Sequence, residues 1–355
     1  MQSRLNPNLK VVEAQWPRQI PCKIALVGEA PGENEALSGQ PFVGGAGNLL
    51  NGLLHAAGIN RAACLVTNVF TERPPSNAVD FFFGPDKWGT KFGTRGWLKE
   101  EWRYEIDRLT NELLTTNPNV IVALGATAMW ALTGLDKITK YRGTIVPGVL
   151  VEKKVLPTFH PAYVMRQYQE RPTVGRDLMK ALIEAQTPDL VRPEREIWIE
   201  PSLADLHEFE HQHMQNVGTL AYDIETDPWV SKQILCIGMS PSPDRAIVVP
   251  FIDKRKKDWN YWGSFTEAQA AWAWVERWLS DPTITKLAQN GNYDMQWLAR
   301  DGVKVRGPIE DTMLLHHALQ PELQKSLSFM ASLYTNEASW KMMVDFSKAS
   351  NKKDT

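Results

Sequence analysis

Three short apolar runs, Lys23 to Val27, Cys64 to Phe70 and Val120 to Leu124, lead into Gly28, pass through Thr67-Asn68, and lead into Gly125. Runs of this length are too short for core helices and too uniformly apolar for strands with one wet face, so they read as strands covered on both sides. Between them the spacing changes to helical. Leu49, Leu50, Leu53, Leu54 and Ala57 share one face before Gly58, and Trp102, Ile106, Leu109 and Leu113 share another. Buried strands separated by helices predict an α/β domain built on a parallel sheet with helices on both faces. Val149 to Thr158 reads as a hairpin or a final strand.

Near Pro188 to Pro193 this pattern breaks, which places a linker at about 188–196 between a first domain, 1–187, and a second, 197–355. The second domain is expected to open with a helix around Leu203 to His211. Three strands then follow in quick succession, Thr219 to Ile224, Gln233 to Met239 and Ala246 to Phe251, as in a meander. Trp272, Trp274 and Trp278 recur at helical spacing beside alanines and read as core. The segment from Phe81 to Trp97 mixes aromatics, cations and glycines without period, so it either stacks on unpaired bases or packs on itself. No apolar run approaches a membrane span and no secretory leader is legible, so the chain is expected to be soluble, cytoplasmic and without membrane partners. The net charge of −2 conceals an asymmetry: residues 1–190 hold 21 basic and 18 acidic side chains, the remainder 18 and 23. Neither half announces nucleic acid by charge alone, so that conclusion has to come from sites.

Gly28-Glu29-Ala30-Pro31-Gly32 stands where the first strand ends, and Gly39 to Gly47 (GQPFVGGAG) leads into the next helix. Ligand crevices of open α/β sheets lie beyond the carboxyl ends of the strands, and glycines there allow close backbone approach. By residue type alone the segment is a phosphate loop or a pair of tight turns. Thr67-Asn68-Val69 with Arg73-Pro74-Pro75, and Thr158-Phe159-His160-Pro161-Ala162-Tyr163, bring polar groups to two further strand ends. In this order and spacing the motifs resemble the family 4 uracil-DNA glycosylases over about residues 22–185. The resemblance implies that Phe42 stacks on a flipped uracil, that Asn68 reads its amide edge, and that His160 hydrogen-bonds a uracil oxygen as negative charge develops. It implies further that Glu29 lies beside the sugar, that Glu35 crowds the ring carbon bearing the methyl in thymine, and that backbone at Gly28, Ala30 and Gly44 shapes the pocket. Family 4 enzymes generally carry a four-iron cluster on four cysteines. Here the amino terminus has no cysteine pair, Glu72 occupies the third ligand position, and Cys22, Cys64 and Cys236 are the only cysteines. No iron–sulfur cluster is therefore expected, with local packing in its place.

In Tyr222-Asp223-Ile224-Glu225-Thr226 two carboxylates two residues apart face the same way along a strand, an arrangement that asks for a cation. Asn290 and Asp294 recur four apart at the start of a helix, and Asp311 begins the next. These segments resemble the 3′–5′ proofreading exonuclease domain of family A DNA polymerases, within the ribonuclease H-like superfamily. The resemblance implies two divalent cations, Mg2+ or Mn2+, on Asp223, Glu225 and Asp294, with Asn290 and Asp311 structural. That family's third motif pairs a tyrosine with an aspartate; here Asp354 has the spacing for a fourth ligand, but Ser350 replaces the tyrosine.

The expectation is an α/β protein: a glycosylase-like α/β/α domain followed by a ribonuclease H-like exonuclease domain. It would excise uracil from single- or double-stranded DNA and degrade 3′ ends, as a viral or phage factor in the host cytoplasm. Since two domains use up 355 residues, the polymerase would be a separately encoded partner. The alternative is a DNA-binding or uracil-sensing module of a replication complex with one or both activities lost.

Overall fold

Ile24–Gly28, Leu65–Asn68, Val120–Leu124 and Lys154–Thr158 are buried at every residue, which only a sheet covered on both faces satisfies. The computed structural model describes residues 1–85, 87–191, 193–227, 233–335 and 337, and these divide into two compact units. In the first, the strands are β1 (Ile24–Gly28), β2 (Leu65–Asn68), β3 (Phe83–Gly84), β4 (Trp97–Leu98), β5 (Val120–Leu124), β6 (Val146–Pro147) and β7 (Lys154–Thr158). Among the described residues, five of them form the main sheet in the order β2-β1-β5-β7-β6. Its first four strands are parallel, and β6 returns antiparallel to β7. Alternate residues feed opposite cores: Ala25, Val27, Ile121 and Ala123 face one apolar cluster, Ile24, Leu26, Val120 and Val122 the other. The helix Gly45–Ala56 closes the second cluster with Leu50, Leu53 and Leu54; truncating one of these to alanine would cost about 2–5 kcal/mol.

The buried rings of the aromatic segment pack against the core of the domain. Phe82 stacks on Phe70 at 3.8 Å and meets Trp102 at 4.7 Å, while Phe92 stacks on Trp130 at 5.3 Å. Phe82, Phe83 and Phe92 are buried against neighbouring rings, which occupy the faces a base would need. Glu72, only 2% exposed, ties down the amino terminus. Its carboxylate accepts from Ser3 Oγ at 2.6 Å, from Arg4 N at 2.6 Å and Nε at 2.9 Å, and from Leu5 N at 3.2 Å. Burial alone would raise this carboxyl, but those donors outweigh it and hold the pKa below the ordinary value.

Where the sequence places the second domain through to 355, the compact units follow another division. The first unit is Met1–Val191 together with the chain from Ser328. The cause is a buried cation. Lys180, 7% exposed, donates to Gly143 O at 2.7 Å and to two carbonyls at the end of helix Leu327–Tyr334, Ser332 O at 2.5 Å and Thr335 O at 2.6 Å. Arg142 Nη2 adds a bond to Ser332 Oγ at 2.6 Å, and its guanidinium lies 4.9 Å from the Phe329 ring. A lysine on the last carbonyls of a helix satisfies groups that have no intrahelical partner and complements the helix dipole.

The second unit, Arg192–Leu327, holds β8 (Glu196–Trp198), β9 (Thr219–Asp227), β10 (Gln233–Ser242), β11 (Arg245–Pro250), β12 (Thr285–Ala288) and β13 (Ile309–Asp311). Among the described residues the sheet order is β13-β12-β9-β10-β11-β8. β9, β10 and β11 are the expected antiparallel meander, whereas β12 runs parallel to β9. Trp274 is buried and Trp272 stacks on Phe251 at 3.9 Å, so both serve the core.

Candidate functional site

β1, β2, β5 and β7 all end at one edge of the first sheet, and the residues that follow them line a cavity of about 430 Å³. Its wall includes Glu29, Ala30, Glu35, Phe42, Asn68 and His160. Gly28 and Gly44 are not on that wall; each acts from behind it. A Cβ on Gly28 would stand 2.3 Å from Asn68 Oδ1 and 2.5 Å from Phe42 Cζ, so the side chains of two different loops rest directly on this glycine. The Gly44 amide, with that of Val43, is taken by Glu35 Oε1 at 2.8 and 3.1 Å. Glu35 therefore fastens the loop that carries Phe42 as well as lining the cavity. We expect Gly28→Ala to lower kcat/KM of the reaction carried out in this cavity about a hundredfold by displacing ring and amide together. Unchanged steady-state kinetics in that variant would remove the packing argument.

Phe42 sits in the left-handed region, φ 54°, and is 5% exposed. Such a backbone in a bulky residue needs outside support. Arg61 supplies it, donating from Nη2 to Pro41 O at 2.6 Å and from Nη1 to Phe42 O at 3.0 Å. A Cβ on Gly47 would meet Phe42 O at 2.0 Å, so this turn packs on bare helix backbone. Asn68 is held similarly: Arg108 Nη2 donates to Asn68 O at 2.7 Å and Val69 O at 3.0 Å, while Glu105 and Glu112 fix the guanidinium. Neither arginine stood out in the sequence. Arg61 lies just beyond a helix with no periodic signature, and Arg108, three and four residues from glutamates, reads as an ordinary helical ion pair.

His160 precedes Pro161 and caps the helix Pro161–Arg166, its Nδ1 accepting from Ala162 N at 3.1 Å. That bond puts the ring proton on Nε2. Burial, then the cation of Arg166, push the imidazole down to about 4, so the neutral donor form prevails at neutral pH. The ring lies 6.0 Å from that of Phe42. Glu29 accepts a hydrogen bond from Thr127, and burial raises its carboxyl above the ordinary value. As for an iron–sulfur cluster, the donor set does not fit one. Cys22 and Cys64 are buried with their thiols on the Ile24 and Asn60 carbonyls, Cys236 belongs to the other unit, and Glu72 is engaged with the amino terminus.

In the second unit Asp223 and Glu225 face one way from β9. The β12 ladder along that edge ends at Leu287↔Ala221, which leaves the Ile224 amide free for another acceptor. Asp294 Oδ1 takes it at 3.1 Å. The second acidic motif is thereby tied to the backbone of the residue that lies between Asp223 and Glu225 in sequence. Partial burial and then Glu225 raise the Asp223 carboxyl; burial pushes Asp294, 4% exposed, up to about 6, with Asp223 adding to the rise. Carboxylates crowded in this way are the hard oxygen donors that suit a divalent cation. Among the described residues no group of three or more His, Cys, Asp and Glu side chains is placed to hold a metal ion. Asp354 and Ser350 lie outside the described residues. Asp311 is structural: its carboxylate accepts from the Asn290, Gly291 and Met313 amides at 3.1, 2.9 and 2.8 Å, linking two helix starts. Asn290 takes the left-handed conformation there, φ 59°.

Comparison with known proteins divides the chain after the first sheet, with the second part running on past Leu327. The profile of the Uracil DNA glycosylase superfamily matches residues 18–184, and that of a 3′–5′ exonuclease family matches 202–355. A Type-4 uracil-DNA glycosylase of Thermotoga maritima is 40% identical over 166 residues, covering 46% of this chain and 77% of that protein. A DNA polymerase of Bacillus phage SP01 is 23% identical over 323 residues, covering 83% of this chain but 32% of the polymerase. Among solved structures, NrnC of Brucella melitensis pairs at 18% identity and a TM-score of 0.29, covering 41% of this chain and 63% of its own. The chain thus belongs to the uracil-DNA glycosylase superfamily, with Type-4 enzymes as relatives of its first half and a 3′–5′ exonuclease-family domain in its second.

Proposed function

We propose that this chain removes uracil from DNA by N-glycosidic hydrolysis and, at a second metal-dependent site, trims 3′ ends. The observation that carries the first part is the meeting of Phe42, Asn68, His160 and Glu29 at one cavity. A flipped uracil stacks on Phe42, and its imide edge pairs with the Asn68 carboxamide; cytosine, with donor and acceptor exchanged at that edge, leaves the amide mismatched. As the C1′–N1 bond breaks, the electron pair leaves with the base, and the Nε2–H of neutral His160 donates to the uracil oxygen that gathers charge. Glu29 offsets the positive charge on the sugar and orders the water whose oxygen bonds to C1′, taking that water's proton, which then neutralises the departed uracil anion.

Glu29 and His160 should titrate in a definite order. The carboxyl is raised above the ordinary Glu value by burial, and the imidazole is lowered to about 4. As pH falls, ionised Glu29 is lost first, so excision should decline while His160 is still neutral. Measuring kcat against pH alongside the His160 ring resonances checks this; an imidazole that titrates before activity falls contradicts it.

In the second unit Asp223, Glu225 and Asp294 would hold divalent cations, Mg2+ or Mn2+, which supply an activated water and neutralise the leaving oxygen. The protein's own part is positional: β9 presents Asp223 and Glu225, and the Ile224 amide fixes Asp294. A 5′-labelled oligonucleotide with one internal uracil separates the two activities. An alkali-labile single cut in EDTA reports excision, and a metal-dependent ladder from the 3′ end reports the exonuclease; absence of both overturns the reading. The phage polymerase match, which extends over most of this chain, favours a replication setting in a phage-infected cell.

A further inference from the structure

Between β11 and the helix Phe265–Leu279 the chain reads Asp253-Lys254-Arg255-Lys256-Lys257-Asp258-Trp259-Asn260, four consecutive cations followed by a tryptophan. The loop is preformed. A bridge pairs Ile252 with Asn260, Asp253 N donates to Trp259 O at 2.8 Å, and Lys256 N donates to Asp253 O at 3.0 Å. Trp259 is held at φ 59°, a left-handed backbone rare for so bulky a residue, and is 38% exposed. No described aromatic ring packs on its indole, and the Lys254 ammonium lies 5.8 Å from its centroid. More than a third of this large ring therefore stands open to solvent on an unfavourable backbone angle, without an aromatic partner among the described residues.

Its position supplies the purpose. Lys254 Nζ reaches Asp227 Oδ2 at 2.8 Å, and Asp227 continues the row of Asp223 and Glu225 on β9, two residues per step on one face. One such step spans about 7 Å, comparable to the spacing between nucleotides of an extended strand. A chain whose 3′ end lies at the carboxylates therefore has its next residues beside this loop.

We propose that the loop 253–260 is a platform for single-stranded nucleic acid, with Trp259 stacking on a base and Lys254 and Lys257 facing the backbone. It rests on the reading of the second unit as an exonuclease. Lys254, whose side chain is half exposed, would turn from Asp227 to phosphate. Lys257 has no partner among the described residues, Arg255 is engaged by Asp253 and Glu200, and Lys256 covers Tyr261. The two lysines that face the strand are thus distinguished from the two cations that brace the loop.

The test uses the full chain in EDTA with a 5′-fluorescein oligothymidylate, which contains no uracil, and follows anisotropy across a salt series. Trp259→Ala should bind about tenfold more weakly, and Trp259→Phe should recover most of the loss. Lys257→Gln should lower the slope of log affinity against log salt by about 0.7, one single-strand phosphate contact. Trp259→Gly, which suits the left-handed backbone, guards against misfolding, and uracil excision should be unchanged in all four. Hydrogen exchange of the 253–260 amides should slow when the oligonucleotide is added. Wild-type affinity and slope in the variants, with no protection of the loop, overturn the platform. If the variants lose binding yet the wild type yields no 3′ ladder with Mn2+, the platform stands and the exonuclease reading falls.

Discussion

Replacing His160 by Asn should slow uracil release by about 10²–10³-fold, with a far smaller effect on KM. That range is the usual effect of removing one donor aimed at a developing oxyanion. Asparagine is the informative substitution because His160 has two roles on its two nitrogens. Nδ1 caps the helix Pro161–Arg166 through the Ala162 amide, and an asparagine side chain caps as well. Its amide is too short to cap that helix and also donate into the cavity as Nε2 does. The variant should therefore melt close to wild type, whereas His160→Ala should lose about 1 kcal/mol of stability along with activity. Single-turnover rates and melting curves on the two variants separate the roles. Near-wild-type release by the asparagine variant would show that the leaving base is stabilised elsewhere.

Asp223→Asn should abolish 3′ trimming, by about 10³-fold or more, since a hard cation loses a charged ligand worth several kcal/mol. Uracil excision in the same molecule should stay at the wild-type rate. Stability should move the opposite way from that of an ordinary ion-pair loss. Partial burial and Glu225 already disfavour the ionised Asp223, so without metal the neutral amide relieves repulsion and the melting temperature should rise or hold. With Mg2+ or Mn2+ present the wild type should gain stability by binding the ion and the variant should not. Melting curves with and without metal show this reversal. A variant that keeps the metal-induced shift would place the cation on other ligands.

How far each element was legible followed the range of its determinants. β1 and β5 were visible because a doubly covered strand is an unbroken apolar run, and the β9–β11 meander because its strands are close in sequence. Phe42, Asn68 and His160 were legible from motifs at strand ends, and the structure brings all three to one cavity. Arg61 and Arg108 were not, since their roles depend on carbonyls 19 to 40 residues away in sequence. The aromatic segment from Phe81 to Trp97 left two readings open because stacking on bases and stacking on Phe70, Trp102 and Trp130 call for the same composition. Only the rings' buried partners distinguish them.

The Lys180 contacts with the helix Leu327–Tyr334 also set an order of events during synthesis. Domains generally fold from the amino terminus as they leave the ribosome. Here the sheet that bears the uracil cavity can assemble once β7 has emerged. The carbonyls that receive Lys180 emerge only after the whole of the second unit has been translated. Until then Lys180 lacks two of its three carbonyl partners. Nascent chains halted between the two units should accordingly carry the cavity in a looser form than the released protein.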